Sequence, residues 1–429
     1  MTSDSAFAGA RELFDFDPAR VACPYPTFTA LRDAAPVVWF EEIEAFVVTR
    51  YDLIVEILRQ PDVFSSRSAT GPKTDREMMT LLIELAMEDP EIAALAEGIM
   101  QSSATAVLLQ ADPPAHPRQR ALVNRAFTPG AIRRIEPYME QLANELIDGF
   151  AGTGHVELLS QFSVPFPMTV IANALGIDLE RMDDFMRWSK TLVAGIGKRD
   201  FGKPELAEIM KTRAALSDYL MSVVVEREAD PQDDLISQLV VAEIDGERLT
   251  HGEVVGMVVQ FLLAGNDTTA KLLASAMLRL AQEPDLADKL RADATMIPAF
   301  VEEALRLTPP INGTYRVVDA DVELGGVAIP AGSAIWMVYA SGNRDPEHFA
   351  EPDELQCPQP SKTPHLTFGF GAHFCLGASL ARAESRIAIE ALLARCDDIR
   401  LGVDVDDVPY DHSFMLHGIS SLPLVFQPT

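Results

Sequence analysis

A cysteine at position 375 stands inside the stretch Phe368-Gly369-Phe370-Gly371-Ala372-His373-Phe374-Cys375-Leu376-Gly377, with no second cysteine at the spacing of a zinc or redox pair. A thiolate serves as ligand or nucleophile only while it stays deprotonated, and a helix beginning just behind the sulfur favours that state through its free N–H groups and dipole. Residues from Leu376 onward predict such a helix, because Leu376, Leu380, Ala383, Ile387, Ala391 and Ala394 recur at the spacing of one buried face and no proline intervenes. Gly369, Gly371 and Gly377 let the loop fold tightly and approach a flat ligand without Cβ clashes. Phe368 can lie edge-on to the sulfur and exclude water. A lone cysteine read without its neighbours is a small buried hydrophobe; these neighbours point to a ligand. Gly369-x-Gly371 also touches the dinucleotide-binding pattern, but Phe374 stands where the third glycine belongs, so no nucleotide loop is present.

A second set of reactive residues lies in one long helix. Thr250-His251-Gly252-Glu253 is a capping box, and the segment it opens has no proline before Glu283-Pro284. At about 1.5 Å per residue the helix to Gln282 spans roughly 50 Å, and being apolar nearly all round from Val254 to Leu263 it must be buried. Ala264-Gly265-Asn266-Asp267-Thr268-Thr269 interrupts that run with polar groups. Gly265 weakens the turn and a Thr268 hydroxyl can bond back to the Ala264 carbonyl, so a local kink is expected, with Asp267 and Thr268 as an acid and an alcohol side by side. Gln260, Ala264 and Thr268 fall at i, i+4 and i+8 and share one stripe. If Thr268 faces the reaction site, Gln260 lies about 12 Å along the same side. Its amide then either meets one polar group of a mainly apolar substrate or bonds to a neighbouring helix, and the sequence leaves both open.

Cationic residues complete the chemistry. His116 and Arg120 share a face in the helix opened by Asp112-Pro113-Pro114, a place that suits carboxylate binding by a guanidinium but equally a solvated basic helix start. Glu303 and Arg306 pair at i, i+3 in a helix that Pro298 begins and Thr308-Pro309-Pro310 ends.

The elements that must hold these residues follow in order. Residues 1 to 20 read as a loose start, and a short helix runs from Tyr25 to about Ala34. Val37 to Phe40 and Ala45 to Thr49 form an antiparallel hairpin, followed by a helix from Tyr51 to Arg59. The chain is polar from Ser65, helical and acidic around Glu77 to Met100, and a succession of amphipathic helices from Ala131 to Ala229. Tyr315 to Val318, Val322 to Leu324 and Ala334 to Val338 are short strands. Alternation from His412 to Phe426 predicts a hairpin with its tip near Met415 and Leu416.

With 429 residues, 48% hydrophobic and 23% charged, the chain has the composition of a soluble globular protein, taken as a single domain over residues 1–429. A formal charge of −29 argues against nucleic acid as partner. Four scattered cysteines and an acidic, aromatic N-terminus fit a reducing cytoplasm and no signal peptide. The longest apolar run, Val254 to Gly265, is broken by Gln260, so no membrane span is expected.

The pattern Phe-x-x-Gly-x-x-x-Cys-x-Gly, with His two before Cys, resembles the haem-binding loop of the cytochrome P-450 family of haem-thiolate monooxygenases. The resemblance runs from Tyr25 to Leu424. It implies a mainly α fold, the cytochrome P-450 fold, with a large helical part around the long central helix and a minor β-rich part. Haem b would lie between that helix, at Ala264 and Gly265, and the loop of Cys375 and Phe368. His116, Arg120, Arg316 and His373 match the family's propionate-binding residues, Asp267 and Thr268 its acid–alcohol pair, and Glu303 and Arg306 its Glu-x-x-Arg. The family completes that last pair with an Arg shortly before the Cys loop. No Arg lies between Arg344 and Arg382 here, which leaves Gln359 or a water for the place. Residues 65–111 and about Asp178 to Glu228 correspond to segments over the haem and the substrate channel. Gln260, Leu263, Ala264, Ile311, Met415 and Leu416 are the pocket candidates. The activity implied is insertion of one oxygen atom from O2 into a C–H bond of a mainly apolar small molecule. Electrons from NAD(P)H would come through a separate ferredoxin and ferredoxin reductase. A monomer is expected, with ferredoxin docking on the Cys375 side at Arg118, Arg125, Arg133, Arg134, Arg382 and Arg386. A peroxide-driven peroxygenase ranks second, since such enzymes usually lack the acid–alcohol pair, and a non-catalytic haem sensor third.

Overall fold

The computed structural model describes residues 3–102, 106–124, 127–193, 202–244, 246–359 and 361–429. Its central element is the helix His251–Gln282, begun by the expected capping box: the Thr250 side chain accepts from the Glu253 N–H at 3.2 Å, and Glu253 accepts from the Thr250 N–H at 2.9 Å. Helices Pro165–Leu175, Lys203–Ala229 and Ala378–Arg395 pack around it, burying Leu262, Leu272, Leu273 and Met277. The interruption expected at Ala264–Thr269 does not break the helix. Thr268 Oγ1 donates to the Ala264 carbonyl at 2.6 Å as foreseen, while an Asp267–Lys271 ion pair at i, i+4 braces the same turn.

Two terminal segments differ from expectation. Residues 1 to 20 hold a helix, Ser3–Phe14, and begin a second, Pro18–Ala22. Ala10, Leu13 and Phe14 are fully buried, and the Phe14 ring meets Phe40, Trp336 and Phe414 edge-on at 5.1, 5.7 and 5.5 Å between centroids. That apolar face supplies the free energy a short helix lacks alone. At the other end, 412–426 is not one hairpin. Strand Pro423–Pro428 pairs antiparallel with Cys396–Leu401 and with His155–Glu157, whereas Tyr410↔Ile419 and Ile311↔Leu416 bridges close a loop ahead of it. Alternation specifies which face of a strand is buried and not which partner it takes.

The minor β part is a five-stranded sheet. Val37–Phe40 pairs antiparallel with Ala45–Val48 as predicted, which runs parallel to Ala334–Met337; Thr314–Val318 and Phe64–Ser65 follow, both antiparallel. The sheet places Arg316 opposite Ile335 and aims it inward. The acidic stretch around Glu77 to Met100 forms two helices, Pro72–Glu88 and Pro90–Ser102, divided where Pro90 removes a donor. Leu85 and Ile92 pack there against Leu206 and Met210 of Lys203–Ala229. No helix among the described residues is long and apolar enough to cross a membrane.

Candidate active site

The loop before Cys375 is folded by its own backbone: the Cys375 N–H donates to the Phe368 carbonyl at 2.8 Å and the Gly369 N–H to that of Leu366 at 2.7 Å. Gly371 has φ +71°, and a Cβ there would lie 2.6 Å from the Leu58 carbonyl oxygen, so this position requires glycine. The helix behind the sulfur is Ala378–Arg395 with Gly377 at its N-cap, two residues later than the apolar pattern suggested. That leaves the Gly377 N–H free to hydrogen-bond the sulfur. Burial pushes the Cys375 thiol up, and the Gly377 N–H with the Arg120 and Arg382 guanidiniums works against it. The Arg382 guanidinium lies 4.6 Å from the centroid of the Phe368 ring.

Beside this loop the fold gathers the four predicted carboxylate-binding residues from three distant segments. His116 and His373 stack at 3.9 Å between ring centroids, the second also bonded through Nε2 to Ser66 Oγ at 3.1 Å. Arg120 donates to the Phe374 carbonyl and Arg316 to that of Tyr315, each at 2.7 Å. Burial, then Arg316, His116 and Arg120, push His373 down to about 3. Among the described residues neither guanidinium has a carboxylate in ion-pair contact; the nearby Asp112 is engaged by Ser65 and by the Ser66 N–H. Buried cations without counter-charge are costly. The cradle therefore suits a dianionic edge, as the two propionates of haem present, and the residues fit that group.

On the long helix Ala264 is exposed although Phe261, Leu262 and Asn266 on either side of it are buried. Asp267 is not a free acid. It pairs with Lys271, whose ammonium also meets Asp411 at 3.0 Å and is only 7% exposed. Burial works to lower Lys271, but the Asp267 and Asp411 carboxylates outweigh it and hold it raised. Sequence reading missed Lys271, though its i+4 spacing from Asp267 was a signal; Asp411 gave none. It also missed Glu384, a buried carboxyl on the Cys375 helix whose burial pushes it well above the usual carboxylate range, against a hydrogen bond from Thr269. A charge on the Leu380 face of that helix was the available clue.

Both atoms of the Gln260 amide are engaged by backbone: Oε1 accepts from the Leu109 N–H at 3.3 Å and Nε2 donates to the Val107 carbonyl at 2.9 Å. Of the two readings, a bond within the chain is the one observed, with the partner a short 3-10 turn, Leu108–Gln110, and the residue before it rather than a packed α-helix. Met415 and Leu416 are buried in the loop that Ile311 bridges, and Leu263 is half-buried on the long helix. Glu303 and Arg306 form a buried bidentate pair at 2.8 and 2.9 Å, and Gln359 Nε2, one of the two substitutes expected for the absent arginine, donates to Glu303 at 3.2 Å. Three of the six basic residues named for docking are paired with acids: Arg118 with Glu253, Arg382 with Glu302, and Arg386 with Glu136 and Glu390. Arg133 and Arg134 are exposed and stand in no ion pair among the described residues, and Arg125 lies outside those residues.

A helical fold around one long helix, with a glycine-framed thiol beside a cationic cradle, defines a haem-thiolate class of protein. The profile of the cytochrome P450 family matches residues 88–417. Cytochrome P450 107B1 of Saccharopolyspora erythraea is 34% identical over 89% of this chain and 89% of its own length. The steroid C26-monooxygenase of Mycobacterium tuberculosis is 35% identical over 88% of this chain and 94% of its own. Among solved structures, cytochrome P450 CYP109Q5 from Chondromyces apiculatus superposes with a TM-score of 0.83 at 34% identity, covering 96% of this chain and 98% of that one. The chain belongs to the cytochrome P450 family, whose members are oxidoreductases that use haem and O2 on small molecules.

Proposed function

We propose that this protein is a monooxygenase for a mainly apolar small molecule, with Cys375 as the thiolate ligand of haem b and Arg120, Arg316, His116 and His373 holding the propionates. The observation that carries this reading is the Cys375 loop itself, whose backbone bonds and left-handed glycine fix the turn that holds the sulfur while the Gly377 N–H favours its anionic form. Haem bound there supplies the chemistry of activating O2 for insertion of one oxygen atom into a C–H bond. The chain's own residues exclude water, hold the substrate and deliver protons. Thr268 presents a hydroxyl one turn from Ala264, and the carboxylate of Asp267, its neighbour in the chain, relays protons from solvent toward that hydroxyl. An apolar substrate is supported by Leu263, Ile311, Met415 and Leu416, and by the capture of the Gln260 amide within the chain. The name of the steroid C26-monooxygenase relative points the same way.

Electrons are proposed to come from NAD(P)H through a separate ferredoxin reductase and ferredoxin. Arg133 and Arg134 carry most of the docking charge, because Arg118, Arg382 and Arg386 are neutralised by acids. The test has two arms. Cys375→Ala should abolish the thiolate-type absorption of the reduced carbon monoxide complex, and an unchanged spectrum overturns the ligand assignment. Wild-type protein with surrogate ferredoxin and reductase should consume NAD(P)H at a rate that falls with salt. Turnover driven by peroxide alone would favour the peroxygenase instead.

A further inference from the structure

Two features mark the surroundings of Asp267. Lys271 Nζ lies between Asp267, one turn back on the long helix, and Asp411, 3.0 Å away in the loop that precedes the last strand. The same loop folds over the lysine stem: a Cβ on Gly418 would sit 2.6 Å from Lys271 Cδ and 2.7 Å from Cε, so the absence of a side chain at 418 is what admits the stem. The Asp411 N–H donates to the Gly418 carbonyl at 2.9 Å, closing the loop around the lysine. Between those two residues stand Met415 and Leu416, buried, with Leu416 bridged to Ile311 and the Met415 carbonyl accepting from the Asn312 N–H at 2.8 Å.

We infer that Lys271 is a positioning residue that fixes the Asp267 carboxylate and fastens the 411–418 loop to the long helix with the same ammonium. This rests on the proposed role of Asp267. A buried ammonium with two carboxylate partners has little freedom, and loss of either partner leaves a charge poorly compensated. The two elements are thereby coupled. A molecule that displaces Met415 or Leu416 pulls on Asp411, and through Lys271 it turns the carboxylate that resupplies Thr268. Size discrimination then acts on proton delivery as well as on binding.

Three variants of the holoenzyme test this: Lys271→Met, Gly418→Ala, which crowds the stem while keeping every charge, and Lys271→Arg as the conservative control. The reduced carbon monoxide spectrum is recorded first, and a wild-type protein without the thiolate band would count against the proposed function rather than against Lys271. Amide hydrogen exchange over residues 411–418 should quicken about tenfold in Lys271→Met and Gly418→Ala, as expected for loss of a charged contact. The solvent deuterium isotope effect on NADH-driven oxygen consumption, with surrogate redox proteins and no added substrate, should rise about twofold as proton delivery becomes limiting. Lys271→Arg should restore both. Should Lys271→Met not fold, the Gly418→Ala and Lys271→Arg proteins carry the same comparison. Wild-type exchange in the altered proteins overturns the fastening, and faster exchange with an unchanged isotope effect overturns the positioning of Asp267.

Discussion

Arg316 is buried on a sheet strand with a backbone carbonyl as its hydrogen-bond partner and no carboxylate in contact among the described residues. A guanidinium in that state is destabilising unless an anion completes it, so its contribution appears only with the cofactor bound. Arg316→Ala and Arg120→Ala should therefore each release haem about tenfold faster, in line with a charge-assisted hydrogen bond. Transfer of haem to an excess of apomyoglobin measures this, and wild-type retention in both variants would remove the propionate role. The residue identities behind this cradle were legible because spacing and resemblance named all four. Its uncompensated charge was not, since that depends on where Asp112 goes, and Asp112 is taken up by Ser65 and Ser66.

Among the elements, the long helix does more than carry Asp267 and Thr268. Its Gln260 side chain clamps Val107 and Leu109, just beyond the helix Pro90–Ser102, against the core. Gln260→Leu leaves one N–H and one C=O of that half-exposed segment without their protein partner, a cost of about 1 kcal/mol rather than the full penalty of buried groups. A matching fall in the urea midpoint, with faster proteolysis near residue 107, is the expected outcome; an unchanged midpoint would mean that water replaces the amide without loss. Helix starts were readable from capping chemistry at Thr250, and stops from the prolines at 284 and 309. The Ser3–Phe14 helix was not, because its reason to exist is Phe40, Trp336 and Phe414, all distant in sequence.

For the whole molecule, ion pairs organise an excess of acid. Glu302 ties the helix Ile297–Leu307 to the Cys375 side by accepting from Arg382 at 2.6 and 2.9 Å and meeting His365 at 3.3 Å. Burial would raise its carboxyl, but His365 and Arg382 hold it down to about 2 from an ordinary 4.5. A folded-state value below the unfolded one gives stability that is present above about pH 4.5 and lost as pH falls through about 2. Glu302 is 41% exposed, so screening reduces the gain to about 1 kcal/mol. Glu302→Gln should lower the thermal midpoint at neutral pH and converge with wild type at the acid end. A constant gap at all pH values would show that the pair contributes by packing alone.

Local spacing in the chain was enough to name the family, the cysteine ligand candidate, the course of the long helix and the proposed acid and alcohol: a glycine-framed loop, a capping box, an i, i+4 stripe. Helix periodicity and turn chemistry act within a few residues, and one chain suffices to read them. What each polar group is paired with emerged only on folding. Asp411 reaches Lys271, Gln359 reaches Glu303, Gln260 spends its amide on a distant backbone, and acids neutralise three of the six docking arginines. Such pairings join residues far apart in the chain, and their energies depend on the burial that folding creates, so no local pattern can carry them.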